Sequence, residues 1–168
     1  MIQTKPNLFV GLVAAFSLSA YASPAADTSV QAAATAQPDV VVQTEPLHKT
    51  ANLSYKVAGK QYQPTKKIEQ FSQTGKASWY GPGFHGKKTS SGERFDMNTL
   101  SAAHRTLPIP SYARVTNLSN GKSVVVRIND RGPFHGNRVM DVSKAAAKEL
   151  GFIHTGTANV KVEQILPN

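Results

Sequence analysis

Asn120-Gly121 lies between two runs of β-prone residues, Ala113 to Asn117 and Ser123 to Asn129. An Asn-Gly pair between such runs is a strong hairpin signal, so the two runs are expected to pair antiparallel. A hairpin alone is marginal in water and needs further strands to bury its apolar face. The chain provides them. Lys76 to Tyr80, Val139 to Val142 and Ala158 to Ile165 read as short strands, separated by Gly and Pro signals. Ser143 can cap a short helix over Lys144 to Leu150, which Gly151 ends, and Leu100 to His104 reads as a second one before Leu107-Pro108. Five or six short strands with one or two short helices, between residues 74 and 166, predict a mainly β protein closed into a small barrel.

The residues ahead of this domain have a different texture. Lys5 precedes an apolar run from Leu8 to Ala20, and Ala20-Tyr21-Ala22 gives the small-x-small pattern of a signal-peptidase site. The run is too short to span a hydrocarbon core, so residues 1–22 are read as a cleavable export signal, with cleavage near Ala22. Residues 23–52 are rich in Ala, Gln, Thr and Pro, with Val40-Val41-Val42 as their one apolar knot. Such a segment buries too little to offset the entropy of ordering, and a disordered linker is expected. Residues 53–73 space Tyr55, Val57, Tyr62, Ile68 and Phe71 widely, and an extended arm laid on the domain is expected.

Cysteine is absent, which excludes disulfides, thiolate chemistry, cysteine-bound zinc and a lipid anchor on an N-terminal cysteine. The protein is therefore expected to be free in the periplasm or secreted. Its net charge is +9, or +8 once Lys5 leaves with the signal. Inside a cell that charge would point to nucleic acid. For an exported chain the polyanions at hand are the cell wall and anionic lipid head groups, and no nucleic-acid partner is expected.

The candidate chemistry centres on Val124-Val125-Val126-Arg127-Ile128-Asn129-Asp130-Arg131-Gly132-Pro133. Alternation in a strand puts Val124, Val126, Ile128 and Asp130 on one face, and Val125, Arg127 and Asn129 on the other. The apolar face should be the core face, which places Asp130 at the rim where the strand ends. A carboxyl group against apolar surroundings is desolvated, which favours its protonated, proton-donating form. Arg127 or Arg131 would oppose this if aimed at it, and the plainer alternative is that Asp130 caps the turn and pairs with Arg131.

Other candidates are weaker. Glu93 follows a loop, Gly81 to Gly92, with four glycines that let backbone approach a ligand; the alternative is a surface acid paired with Arg94. His104 can tune an acid or bind a sugar hydroxyl, although a satisfied structural histidine is the commoner outcome. Trp79 and Tyr80 point to opposite faces, one toward the core and the other free to stack on a sugar ring, with Trp79 the favoured core residue. His85 and His135 lack metal-ligand spacing, and neither metal nor cofactor is expected. Asp141, just ahead of the helix cap, reads as structural, satisfying backbone donors.

These residues fall in runs that resemble the rare-lipoprotein-A family of septal-ring lytic transglycosylases. The runs are Gly75-Lys76-Ala77-Ser78-Trp79-Tyr80-Gly81, Thr89-Ser90-Ser91-Gly92-Glu93-Arg94-Phe95-Asp96 and Ala102-Ala103-His104-Arg105-Thr106-Leu107-Pro108. They continue with Arg114-Val115-Thr116-Asn117, Val126 to Phe134, and Arg138-Val139-Met140-Asp141-Val142-Ser143. The resemblance implies a six-stranded double-psi β-barrel and a peptidoglycan glycan substrate, preferably stripped of peptide stems. It implies catalytic roles for Asp130, Glu93 and His104, with the acid and base assignment among them open. Trp79, Tyr80, Asn129 and Arg131 are the expected substrate contacts, and the protein is expected to act as a monomer.

The implied reaction is non-hydrolytic and leaves 1,6-anhydro-N-acetylmuramic acid ends; the alternative is a non-catalytic, expansin-like peptidoglycan-binding module. The chain departs from the family in lacking the anchor cysteine and in stopping soon after Ile165, so neither a lipid anchor nor targeting by a C-terminal repeat domain is expected. Pro108-Ile109-Pro110-Ser111-Tyr112 replaces the commoner Pro-Phe-Gly run and is expected to border the substrate groove.

Overall fold

The computed structural model describes Val42 and residues 44–167. The export signal and most of the linker lie outside the described residues. The strands are β1 (Tyr55–Val57), β2 (Lys60–Tyr62), β3 (Ser72–Trp79), β4 (Ser101–His104), β5 (Ser111–Asn117), β6 (Ser123–Asp130), β7 (Arg138–Val142) and β8 (Thr157–Gln164). One helix, α1 (Lys144–Glu149), and a 3-10 turn (Pro82–Phe84) complete the elements.

Six strands close into a barrel in the order β3-β7-β4-β6-β5-β8, and β8 returns to pair with β3. Two neighbouring pairs, β3 with β7 and β4 with β6, are parallel; the other pairs are antiparallel. Period-two burial builds the interior. Ala113 and Val115 of β5, Val124, Val126 and Ile128 of β6, and Val160 and Val162 of β8 are all buried. Each Val or Ile so buried contributes about 1.5–3 kcal/mol. Gly75 is a matter of space: a Cβ there would overlap Val139 across the β3–β7 pair. Ser143 caps α1 by accepting from the Ala146 N–H at 3.1 Å, and Gly151, at φ 76°, follows its end.

Several expectations need correction. Leu100 to His104 is not helical: β4 is wedged between parallel β6 and antiparallel β7. Ala102 and Ala103, good helix formers, are small enough for this fully buried strand, and pairing on both edges overrides their propensity. The arm is a hairpin rather than an extended segment. Ala58 and Gly59 both have positive φ (48° and 80°), as a two-residue hairpin turn requires, and Tyr55 faces Tyr62 across it. Ala in place of the usual Asn hid that turn. Ser72 and Gln73, assigned to the arm, belong to β3.

The linker's last residues are also ordered. Glu45, His48 and Asn52 bind the barrel, and Asn52 bridges both backbone groups of Ile109, donating to its carbonyl at 2.7 Å and accepting from its N–H at 2.8 Å. This strap is held by hydrogen bonds, so low hydrophobicity did not reveal it. Pro108 to Pro110 is buried beneath the strap instead of bordering a groove.

Candidate active site

β6 carries Asp130 to the barrel rim. The β4–β6 register shifts there, so that Ala102 faces Ile128 while Ala103 faces Asp130. The carboxylate is half-buried and held from two sides. Oδ1 accepts from Ser90 N–H at 2.8 Å, Ser90 Oγ at 2.7 Å and Arg131 N–H at 2.8 Å. Oδ2 accepts from the Tyr80 hydroxyl at 3.1 Å. Ser90 is placed by a tight turn in which Thr89 N–H donates to the Glu93 carbonyl at 2.8 Å and Gly92 adopts φ 85°. Among the described residues no ion pair involves Asp130. The cap expected at this turn is present as the Arg131 N–H bond, whereas the Arg131 side chain goes elsewhere.

Both neighbouring arginines are committed. Arg131 places all five N–H groups on protein acceptors: the Ala51 carbonyl twice (3.1 and 2.9 Å), Asn52 Oδ1 (2.8 Å), and the carbonyls of His104 (3.1 Å) and Leu107 (2.6 Å). It fastens the strap to the barrel and keeps no donor for a sugar. Burial pushes its pKa down to about 10, so it remains charged at neutral pH. Arg127 grips Glu45 through Nε at 2.8 Å and Nη2 at 2.7 Å, and reaches Glu93 at 2.8 Å.

Glu93 thus pairs with Arg127, not Arg94, whose guanidinium donates to the Gly86 carbonyl. The Arg127 hydrogen bond holds the Glu93 carboxyl below the usual carboxylate range, against a smaller opposing effect of burial. Asn129, buried, donates to Glu93 at 3.4 Å, and its carbonyl accepts from Ser91 N–H. One turn, residues 89–93, therefore touches Asp130 through Ser90 and carries Glu93 to Asn129.

His104 stands apart from both acids. Its Nδ1 accepts from the N–H groups of Thr106 (3.1 Å) and Leu107 (2.9 Å), which puts the proton on Nε2, facing Gln73 Oε1 at 3.0 Å. The ring is 2% exposed, and burial, with Arg105 and Arg131 nearby, lowers its pKa to about 3. Its link to the rim is its carbonyl, held by Arg131.

Trp79 packs partly buried against the core. Tyr80 is not a free stacking platform: its ring lies among Phe84 and Phe95, with centroids 5.4 and 4.8 Å away, and its hydroxyl serves Asp130. Burial, reinforced by Asp130, pushes its pKa up. Asp141 satisfies Ser78 Oγ (2.6 Å) and Arg138 (2.7 Å), rather than backbone donors. Ser90 and Glu45 had been missed. Ser90 lies in the glycine-rich loop from Gly81 to Gly92, and nothing local ties it to Asp130 40 positions on. Glu45 lies in a segment read as linker.

A cleft of about 520 Å³ opens beside this rim, lined by Ala51, Tyr55, Val57, Ser90, Arg131 and Phe134 among others. Among the described residues no group of three or more His, Asp or Glu side chains is arranged to hold a metal.

The closed six-stranded barrel presents a hydrogen-bonded carboxylate beside a cleft, and residues 72–162 match the family model described as lytic transglycolase. The chain belongs to that family. It is 59% identical to the endolytic peptidoglycan transglycosylase RlpA of Neisseria meningitidis serogroup A, over 99% of this chain and 64% of that protein. It is 68% identical to the protein of the same description from Neisseria meningitidis serogroup B, over 79% of this chain and 56% of that protein. For the one from Vibrio cholerae the identity is 54%, over 76% of this chain and 48% of that protein. The chain thus spans roughly half to two thirds of the length of these curated relatives.

Proposed function

We propose that this chain is a lytic transglycosylase that cleaves peptidoglycan glycan strands, preferring peptide-free ones, and leaves 1,6-anhydro-N-acetylmuramic acid ends. The observation that carries this reading is the Asp130 carboxylate, gripped by Ser90 and Tyr80, in no ion pair among the described residues, and adjoining a cleft. The relatives' descriptions and the family membership support it.

In the proposed reaction Asp130, protonated, gives its proton to the oxygen leaving N-acetylmuramic acid as the β-1,4 bond breaks. As carboxylate it then takes the proton of the same sugar's C6 hydroxyl, whose oxygen bonds to C1 and closes the anhydro ring. No water is consumed. A nucleophile tethered to the substrate has a high effective concentration, so a second carboxylate nucleophile is dispensable. Ser90 and Tyr80 fix the carboxyl for both transfers. Glu93, kept ionised by Arg127, receives a sugar hydroxyl together with Asn129. His104 is a positioning residue: it orders the Thr106–Leu107 turn and offers its carbonyl to Arg131. The signal-like N-terminus supports a periplasmic or secreted location, where this substrate lies.

The test is digestion of purified peptide-free glycan with product masses read by mass spectrometry. Fragments ending in 1,6-anhydro sugar are expected. Hydrated reducing ends would mean a hydrolase, and intact glycan that still pulls the protein down would mean a binding module.

A further inference from the structure

The Asp130 carboxylate is held in part by the residue that follows it. Arg131 is the first residue past β6, and its N–H donates to Asp130 Oδ1 at 2.8 Å and to Ser90 Oγ at 3.1 Å. Where that N–H points depends on where the Arg131 side chain is fastened. Three of its five side-chain bonds go to the strap, two to the Ala51 carbonyl and one to Asn52 Oδ1. The other two go to the barrel, at the carbonyls of His104 and Leu107. We infer that the strap is part of the catalytic unit: acting through Arg131, its 48–52 turn positions the Asp130 carboxyl for proton transfer, with His48 and Asn52 as positioning residues. The inference rests on the proposed transglycosylase reaction. It adds to that reaction a stretch of chain ahead of residues 72–162, which match the family model.

Three observations carry it. The first is how the turn is built. His48 Nδ1 accepts from the N–H groups of Ala51 at 3.0 Å and Thr50 at 3.3 Å, and the His48 carbonyl accepts from Asn52 Nδ2 at 3.0 Å. His104 does the same on the barrel, its ring accepting from the N–H groups two and three residues on. Each histidine folds the turn that follows it, and the two turns present carbonyls to one guanidinium, Ala51 from the strap and His104 and Leu107 from the barrel. A guanidinium is a rigid planar fork, so bonds from both sides leave it a single position.

The second is seating. The His48 N–H donates to the Ile109 carbonyl at 2.7 Å, and Asn52 bonds both backbone groups of the same residue, which is 0% exposed. Further along, Glu45 takes two N–H groups of Arg127 and the Tyr112 hydroxyl. The strap is thereby fixed against the barrel at both ends. The third is separation from the cleft. Asn52 is buried and is absent from the cleft lining, and its hydrogen-bonded route to Asp130 runs through Arg131. Small displacements of a reacting group cost large factors in rate, and a carboxyl that gives a proton and then takes one needs its placement twice.

The experiment compares full-length wild type with Asn52→Ala, at a temperature where melting curves show both folded. Two quantities are read: kcat and KM for anhydro-product formation on peptide-free glycan, and the NMR signals of the Ser90 and Arg131 backbone amides, both donors to Asp130 Oδ1. The expected result is a kcat lower by about tenfold with KM within about twofold of wild type, and a shift of both amide signals. Ser90 is the stricter reporter, because it bonds Asp130 and Arg131 and not the strap. A merely structural role would lower the melting temperature and leave kcat and the Ser90 signal in place. In a folded variant, kcat within about twofold of wild type, or an unmoved Ser90 signal, overturns the inference. Should Asn52→Ala fail to fold, His48→Ala takes its place with the same expectations. His48→Asn, whose side-chain oxygen restores an acceptor for the turn, should then recover kcat to within about twofold of wild type. No loss in the first variant or no recovery in the second overturns the inference. Absence of anhydro products from the wild type would refute the transglycosylase reading, and the Ser90 signal alone would then decide whether the strap sets the carboxyl.

Discussion

The His104 ring spends both nitrogens inside the protein, as an acceptor for two backbone N–H groups and a donor to Gln73. Protonation would turn an acceptor into a donor facing two donors, in a buried site. With its pKa lowered from 6.5 to about 3, the folded state refuses a proton that the unfolded chain takes between those values. Stability from this group is complete above pH 6.5 and is lost as pH falls, by up to about 1.4 kcal/mol per pH unit. Glu45 and Glu93, lowered by Arg127, add their loss only as pH falls through the carboxylate range below 4.5. Thermal melts between pH 6.5 and 5 should therefore decline in the wild type and flatten in His104→Gln, which is less stable throughout. An equal slope in both would assign the acid sensitivity to another group. Sequence alone offered catalysis and structure as alternatives for this histidine, because a buried acceptor pair made by the residue's own following turn leaves no pattern in residue types.

At the scale of elements, the strands with alternating burial were legible and those defined by their neighbours were not. β5, β6, β7, β8 and α1 lie within a residue or two of where hydrophobic alternation and capping put them. β4 escaped because Ala-Ala-His carries no alternation: all four of its residues are buried, and both of its edges are paired, with β6 and β7. The strap escaped because its anchorage is polar. Asn52 is the residue that tests it. Its amide satisfies both backbone groups of Ile109, a residue 0% exposed, and accepts from Arg131. Asn52→Ala strands the Ile109 N–H and one Arg131 N–H, while the His48 N–H still serves the Ile109 carbonyl, and a loss on the order of 2–3 kcal/mol is expected in denaturant or thermal unfolding. A change below about 0.5 kcal/mol would mean that the strap is not held by this residue.

Over the whole molecule, the barrel places on one rim what the sequence scatters. Closure brings the 89–93 turn against the end of β6 and lays the strap over the 108–110 segment, so that Ser90, Glu93, Asn129 and Asp130 form one connected group. The strand pattern put Asp130 at the core-side rim, and that much was readable. Its partners were not, since Tyr80 and Ser90 approach from other elements 50 and 40 positions away. Arg127 and Arg131, the two cations nearest in sequence, are drawn off by Glu45, Glu93 and the strap, which leaves Asp130 without an ion-pair partner among the described residues. In the proposed reaction that carboxyl group is the proton carrier. The most direct test is turnover of peptide-free glycan by Asp130→Asn, with its melting curve recorded alongside. Loss of anhydro-product formation by about a hundredfold or more, in a variant that still melts cooperatively and binds glycan, is the expected result. Cutting at the wild-type rate by the same variant would contradict it.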